Sequence, residues 1–234
     1  MIKKAIILSA GFGKRINPLT LDTPKPLLKI RNETLLSNTI KFLEFYGVDN
    51  VVINVHYLKE KIINYINKKN FKINITIVEE KNKILNTGGG VLNAINNFSN
   101  QPFLIVNPDT IWEDKYISEL KLMEELFLKN KKAKCILLVA KKEKSFDKTL
   151  KGDFNIKNNL LNREKKNDLK YIFTGLQIIK PESFLGIGEK VFSMNKIWDN
   201  LIQNKELLGT ISNIDFLHVS TLKIYEKLLN EIKI

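Results

Sequence analysis

The chain has 234 residues, 27% of them charged and 44% hydrophobic, which suits one well-buried core and is short for two, so a single domain spanning 1–234 is expected. No apolar run approaches the roughly 18 residues of a membrane span, and Met1 leads straight into a strand-like segment without the regions of a leader peptide, so a cytoplasmic chain with no membrane partner is expected. The net charge of +13 invites nucleic acid, but the lysines are spread along a sequence rich throughout in Lys, Asn and Ile, as AT-rich coding would give, with no aromatic platform or recognition helix beside them; no nucleic-acid partner is expected.

Lys4–Ser9 is a short continuous apolar run ending in small residues, the pattern of a strand covered on both faces. Similar runs follow at Val51–Val55, Ile73–Val78, Phe103–Val106, Ile136–Ala140 and Tyr171–Ile179. Helix-period segments lie between them at Leu35–Tyr46, Leu58–Asn67, Gly90–Phe98 and Tyr116–Leu128. Strand and helix alternate, which predicts an α/β fold, a mostly parallel mixed sheet with helices on both faces. Cys135, the sole cysteine, sits in the apolar run Cys135–Val139 and reads as a small buried hydrophobe, so neither a disulfide nor a cysteine zinc site is available.

From Lys141 to Lys170 the chain turns polar, with Gly152-Asp153-Phe154 as its one punctuated point, and reads as a long hairpin or an excursion over the sheet edge. After Pro181 a helix is predicted over Asn195–Gln203, a strand over Asn213–Val219 and an amphipathic helix over Thr221–Ile232. No hexapeptide repeats follow residue 220, so no C-terminal β-helix extension is expected, and a monomer or homodimer is.

The segment behind the first strand carries the most chemistry. Ala10-Gly11-x-Gly13 can present successive backbone N–H groups to an anion, because glycine permits positive φ and close approach. In an open α/β sheet the carboxyl end of a strand is where ligands bind. The Walker pattern fails, since Arg15 follows Gly13-Lys14 and no glycine lies five positions before Gly13. The dinucleotide pattern fails as well, with Ile16 in place of its third glycine.

What remains is Gly-x-Gly-x-Arg-x-x-Pro-Leu-Thr-x-x-x-Pro-Lys-Pro-Leu over Gly11–Leu27, and it resembles the signature of the sugar-1-phosphate nucleotidyltransferases. Further landmarks come in the same order: Leu85-Asn86-Thr87-Gly88-Gly89-Gly90 opening a helix, Asn107-Pro108-Asp109 ending a strand, then Gly152-Asp153-Phe154 and Phe173-Thr174-Gly175. The resemblance is greatest to the family's short uridylyltransferase branch that acts on N-acetylmuramate 1-phosphate in peptidoglycan recycling; guanylyl and thymidylyl branches are more distant.

The resemblance implies a three-layer Rossmann-like fold and attack of a sugar-phosphate oxygen on the α-phosphorus of a nucleoside triphosphate, expelling pyrophosphate. Catalysis of that step is mostly alignment and charge neutralisation, which it assigns to Arg15, Lys25 and Asp109. Arg15 suits the β- and γ-phosphates, and Lys25, held between Pro24 and Pro26, the α-phosphate or the sugar phosphate. Ala10, Gly11, Gly13 and Lys14 would cradle the triphosphate, with Gly88 approaching the base and Thr87 bonding nearby. Asn107, Asp153, Thr174 and Gly175 would meet the sugar, and Asp109 would hold Mg²⁺, with Mn²⁺ as an alternative. Plainer roles stand beside two of these: Thr87 as a helix cap and Asp153 as a turn residue next to Gly152.

The family's second metal carboxylate falls in this chain on Phe216-Leu217-His218-Val219-Ser220-Thr221, where His218 replaces aspartate and Ser220 a glycine. Neutral imidazole suits softer metals than Mg²⁺, and Asp215 lies an odd number of residues upstream, which on a regular strand points it to the opposite face. The sequence leaves open catalysis with Asp109 and substrate phosphates alone, a changed metal preference, a nucleotide-binding regulator of little activity, and a His218 that only fills space.

Overall fold

The computed structural model describes residues 1–164 and 168–231; residues 165–167 of the polar stretch and Ile232 of the predicted last helix lie outside them. In chain order the elements are β1 (Lys4–Leu8), β2 (Lys29–Ile30), β3 (Glu33–Thr34), α1 (Leu35–Tyr46), β4 (Asn50–Val55), α2 (Lys59–Asn67), β5 (Asn74–Glu79) and α3 (Asn86–Ala94). They continue with β6 (Phe103–Val106), α4 (Tyr116–Lys129), β7 (Cys135–Lys141), β8 (Asn155–Lys157), β9 (Leu160–Asn162), β10 (Tyr171–Ile179), α5 (Met194–Gln203), β11 (Leu207–Ser212) and α6 (Leu222–Glu231).

Nine strands form one sheet in the order β5-β4-β1-β6-β10-β7-β11-β9-β8. β5, β4, β1 and β6 run parallel, β10 is antiparallel to β6 and β7, and β11 rejoins β7 in parallel. The alternating side chains of the central strands are buried on both faces. Ala5, Ile7, Val51 and Ile53 pack beneath α1, α2 and α4, while Ile6, Val52, Phe103 and Ile105 pack beneath α3 and α5. That is the three-layer arrangement the continuous apolar runs predict. Cys135 is buried, as expected, with its thiol on Gln177 Oε1 at 3.4 Å.

Local chemistry sets several element ends. Thr34 Oγ1 accepts the Ser37 N–H at 3.1 Å to cap α1, which stops at Gly47 with φ 100°. Arg31 and Asn32, both at positive φ, close the tight β2–β3 hairpin.

The structure corrects the sequence reading in two places and decides between its alternatives in a third. The strand near the C-terminus is β11, Leu207–Ser212, and not Asn213–Val219, which crosses the sheet end with isolated bridges at Phe216 and His218. Gly209 weakens the strand signal of β11, yet a side chain there would meet Leu161 at 2.7 Å. Helix α3 starts at Asn86, four residues earlier than predicted, because packing holds its three glycines in a helix that they do not favour alone. The polar stretch does contain a hairpin, β8–β9, which joins the sheet edge through Leu160 opposite Leu208.

Candidate active site

The carboxyl ends of β1, β4, β5 and β6 open on a cleft of about 420 Å³ lined by Ala10, Gly11, Gly13, Lys14, Arg15 and Lys25 on one side and by Asn86, Thr87, Asn107 and Asp109 on the other. The glycine segment is built of three short 3-10 turns, Lys14–Ile16, Leu19–Leu21 and Lys25–Leu27. Gly13 stands at φ 65°, with its carbonyl taking the Thr20 hydroxyl at 3.0 Å. At Gly11 a side chain would meet no atom within 4 Å, so the backbone there is open to a ligand. Ile16 anchors the segment beneath Tyr225 and Leu228 of α6. Two neighbours hold it by its carbonyls: Tyr57 Oη donates to Thr20 O at 2.9 Å, and Lys61 Nζ to Asp22 O. Lys14 and Arg15 remain exposed, and Arg15 makes no ion pair among the described residues.

Asp109 faces this segment just past the end of β6. Its Oδ2 accepts from Lys25 Nζ and lies 3.1 Å from His218 Nε2, while Oδ1 is buried without a partner. Burial pushes the Asp109 carboxyl up, but the charge of Lys25 and the His218 contact outweigh it and hold the group well below the usual carboxylate range. His218 stacks on Phe216, ring centroids 5.4 Å apart and 7° from parallel. Its strand bridges to Thr110, and the Val219 N–H donates to the Asp109 carbonyl at 2.8 Å. Asp215 turns outward to the exposed Lys144 at 3.1 Å, as its odd offset predicts.

A divalent cation fits this donor set in one form. Among the described residues no three His, Cys, Asp or Glu side chains gather into a cage, which removes an all-protein site. A single carboxylate with one unpartnered oxygen at the cleft matches a hard cation that takes its remaining ligands from phosphates and water.

The remaining predicted positions divide. Asn107 lines the cleft with its N–H on Gly175 O at 2.8 Å, and Gly175, at φ 95° in the irregular stretch of β10, leaves room for the Asn107 side chain. Asp153 accepts the Phe173 N–H at 2.9 Å, which holds the two sugar-loop candidates together; burial pushes its carboxyl up, against the pull of that N–H and Arg163. Thr174 turns away from the cleft: its hydroxyl donates to Leu138 O at 2.9 Å inside the sheet.

At Gly88 the missing side chain makes room for Phe192, whose ring would lie 2.4 Å from a Cβ. The Gly88 and Gly89 N–H groups both donate to Phe192 O, at 2.9 and 3.0 Å, and Thr87 Oγ1 accepts the Met194 N–H at 3.0 Å. The first turn of α3 is thereby sewn to the segment leading into α5, so Thr87 is a tie between elements.

Sequence reasoning misses one network in the cleft floor. Ser9 N–H donates to Asn54 Oδ1 at 2.8 Å, Asn54 Nδ2 to Glu80 Oε1 at 2.7 Å, and Leu85 N–H to Glu80 Oε2 at 2.6 Å. It ties the start of the glycine segment to the entrance of α3. The available signal was a polar Asn54 inside the apolar run of β4. Asp147 is missed too: it takes the Ser220 hydroxyl at 2.5 Å, and although burial opposes its charge, Ser220 and Thr149 hold its carboxyl below the ordinary range.

A family model described as nucleotidyl transferase matches residues 4–147. N-acetylmuramate alpha-1-phosphate uridylyltransferase of Caulobacter vibrioides is 26% identical over 223 residues, covering 93% of this chain and 91% of that protein. Probable mannose-1-phosphate guanylyltransferase 3 of Oryza sativa subsp. japonica is 33% identical over 142 residues, 59% of this chain and 38% of that one. A crystal structure of a UDP-glucose pyrophosphorylase complexed with UDP-glucose shares the fold at TM-score 0.78 and 18% identity, over 98% of each chain.

Proposed function

This chain belongs to the nucleotidyl transferase family, and from that premise we propose that it transfers a uridylyl group from UTP to N-acetylmuramate 1-phosphate, releasing pyrophosphate. Nucleotidyl transfer to a sugar 1-phosphate is the reaction class that the family and its relatives support. The single observation that carries this reading to the cleft is the open glycine segment with Lys14, Arg15 and Lys25 facing Asp109 across it.

Every participant in the reaction is anionic, so the work is neutralisation and alignment. The sugar-phosphate oxygen forms a bond to the α-phosphorus while the bond to the β-phosphate oxygen breaks, and the electron pair leaves with pyrophosphate. The backbone over Gly11–Gly13 and the side chains of Lys14 and Arg15 hold the departing phosphates. Lys25 leaves Asp109 and turns to the α-phosphate or the sugar phosphate. Asp109 would hold Mg²⁺ or Mn²⁺ through its Oδ1, and the bound cation supplies charge neutralisation at the transferred phosphoryl group.

Two observations support the choice of base. The similarity to the uridylyltransferase extends over nearly the whole of both chains. In addition, Asn86 Oδ1 accepts the Thr87 N–H at 2.8 Å, which fixes the amide and leaves Nδ2 as a donor on a residue that lines the cleft. A donor there matches the C4 carbonyl of uracil or the C6 carbonyl of guanine and opposes the amino groups that cytosine and adenine carry at those positions. Guanylyl transfer to mannose 1-phosphate is therefore the second reading, supported by the relative from rice.

Pyrophosphate release, measured for four nucleoside triphosphates against N-acetylmuramate, N-acetylglucosamine, glucose and mannose 1-phosphates, tests the proposal. Turnover greatest with UTP and N-acetylmuramate 1-phosphate is expected; turnover greatest with any other pair refutes the substrate assignment, and silence with all pairs refutes the activity.

A further inference from the structure

We propose that Phe12 is a positioning residue of the triphosphate site, its ring carrying the Lys14 ammonium at the edge of the cleft; this rests on the functional reading above. Phe12 lies between Gly11 and Gly13, is 36% exposed, and takes no part in the cleft wall that Gly11, Gly13 and Lys14 form. Gly13, at φ 65°, turns the chain between Phe12 and Lys14, and Lys14 Nζ stands over the ring 5.2 Å from its centroid. That is inside the ~6 Å within which the face of an aromatic ring attracts a cation. Lys14 makes no ion pair among the described residues, so no carboxylate competes with the ring for its charge.

The ring is itself fixed from behind. It lies against Tyr57, centroids 5.3 Å apart, and meets His56 edge to face at 6.0 Å. Both belong to the turn between β4 and α2, and both are tied down. Tyr57 Oη donates to Thr20 O at 2.9 Å and to Leu21 O at 3.2 Å, and His56 Nδ1 lies 2.5 Å from Glu80 O. Glu80 is the carboxylate that receives Asn54 Nδ2 and the Leu85 N–H in the cleft floor. Ammonium, ring and turn thus form one stack between the cleft edge and the sheet. Lysine is a point charge on a flexible stem, so its direction comes from whatever it rests on. A stem already biased toward the cleft loses less freedom when a phosphate captures it, which strengthens binding. Leucine in place of Phe12 would fill the same corner but offer the ammonium no ring face, which separates this role from packing.

The test is titration calorimetry with inorganic triphosphate and Mg²⁺, which needs neither base nor sugar, on wild type, Phe12→Leu, Phe12→Tyr, Lys14→Ala and the Phe12→Leu/Lys14→Ala double variant, with thermal unfolding of each to confirm the fold. Phe12→Leu is expected to weaken binding about 2–5-fold, the worth of an exposed cation–π contact, and Phe12→Tyr, which keeps the ring face, to match wild type. In the Lys14→Ala background Phe12→Leu should change nothing further. A Phe12→Leu protein that binds as wild type does, a Tyr variant as weak as Leu, or an equal loss from Phe12→Leu with Lys14 already removed overturns the inference. Wild type that binds no triphosphate overturns both the inference and the reading of the cleft, whereas silence in pyrophosphate release with these binding results intact counts against the transfer reading alone.

Discussion

Gly89→Ala sets two effects of opposite sign against each other. Alanine is favoured over glycine within a helix by about 1 kcal/mol, so α3 considered alone gains stability. The structure places Lys190 O 2.2 Å from where the new Cβ would sit, and Leu85 Cβ at 3.0 Å. The first of these is backbone and cannot swing aside, so the segment before α5 must move by more than 1 Å to restore a normal contact of about 3.5 Å. Such overpacking costs about 1–3 kcal/mol. The movement also strains two N–H bonds to Phe192 O, each contributing about 1 kcal/mol. The net expectation is a loss of about 1–3 kcal/mol, a fall in Tm of roughly 2–12 °C for a chain of this size. Asn86 and Thr87 shift with the helix entrance, so KM for the nucleoside triphosphate should rise as well. Differential scanning fluorimetry and pyrophosphate release measure the two effects. Gly188→Ala is the control, since a side chain there meets nothing within 4 Å and the change should be neutral or slightly stabilising. A Gly89→Ala protein with Tm equal to or above wild type would refute the packing argument.

Other substitutions probe the charges. Arg15→Ala should lower kcat/KM about 10–100-fold, the worth of a charged hydrogen bond to phosphate, with Tm unchanged because the side chain is exposed and unpaired; a drop in Tm would show an unseen structural role. Asp109 is held below the ordinary carboxylate range when folded, so its contribution to stability is present above pH ~4 and lost as pH falls below it. Lys25→Ala removes the charge chiefly responsible and should move the acid unfolding midpoint to higher pH; an unmoved midpoint contradicts the pairing. Asp153 is raised on folding, so its ionisation costs stability as pH climbs from ~4 towards neutrality. Asp153→Asn, which keeps an acceptor for the Phe173 N–H, should therefore match wild type near pH 3 and equal or exceed it at pH 7, as chemical denaturation at the two pH values will tell.

The parts legible in the sequence are those whose requirements are local. The strands of the core declare themselves because both faces are covered, which leaves uninterrupted runs such as Phe103–Val106. The phosphate-facing segment is legible because glycines, prolines and cations must fall at fixed spacings within some 20 residues. The features that eluded the sequence are decided between distant segments. Nothing local says that Gly88 and Gly89 must also make room for Phe192 and Lys190, residues over 100 positions away. Thr174 reads as a hydroxyl for sugar, yet an unmet carbonyl on β7 claims it. The Ser9–Asn54–Glu80–Leu85 chain joins four elements by side-chain amide and carboxylate bonds that no periodicity records. The histidine at 218 was visible as a departure, and only the fold shows that it lies 3.1 Å from Asp109.

The way the glycine segment is fastened bears on the calorimetry of nucleotide binding. Tyr57, Lys61 and Thr20 grip it through its main-chain carbonyls, and Ile16 is seated under α6. Ordering a free loop of some 15 residues would consume on the order of 15–30 kcal/mol, more than a micromolar ligand releases in total. Here that ordering is completed when the chain folds. The ligand has only the Lys14 and Arg15 side chains to still, at about 2 kcal/mol each, so titration calorimetry should find a modest entropic penalty and a heat-capacity change that reflects the cleft's own surface, without the large signature of a segment folding around its guest.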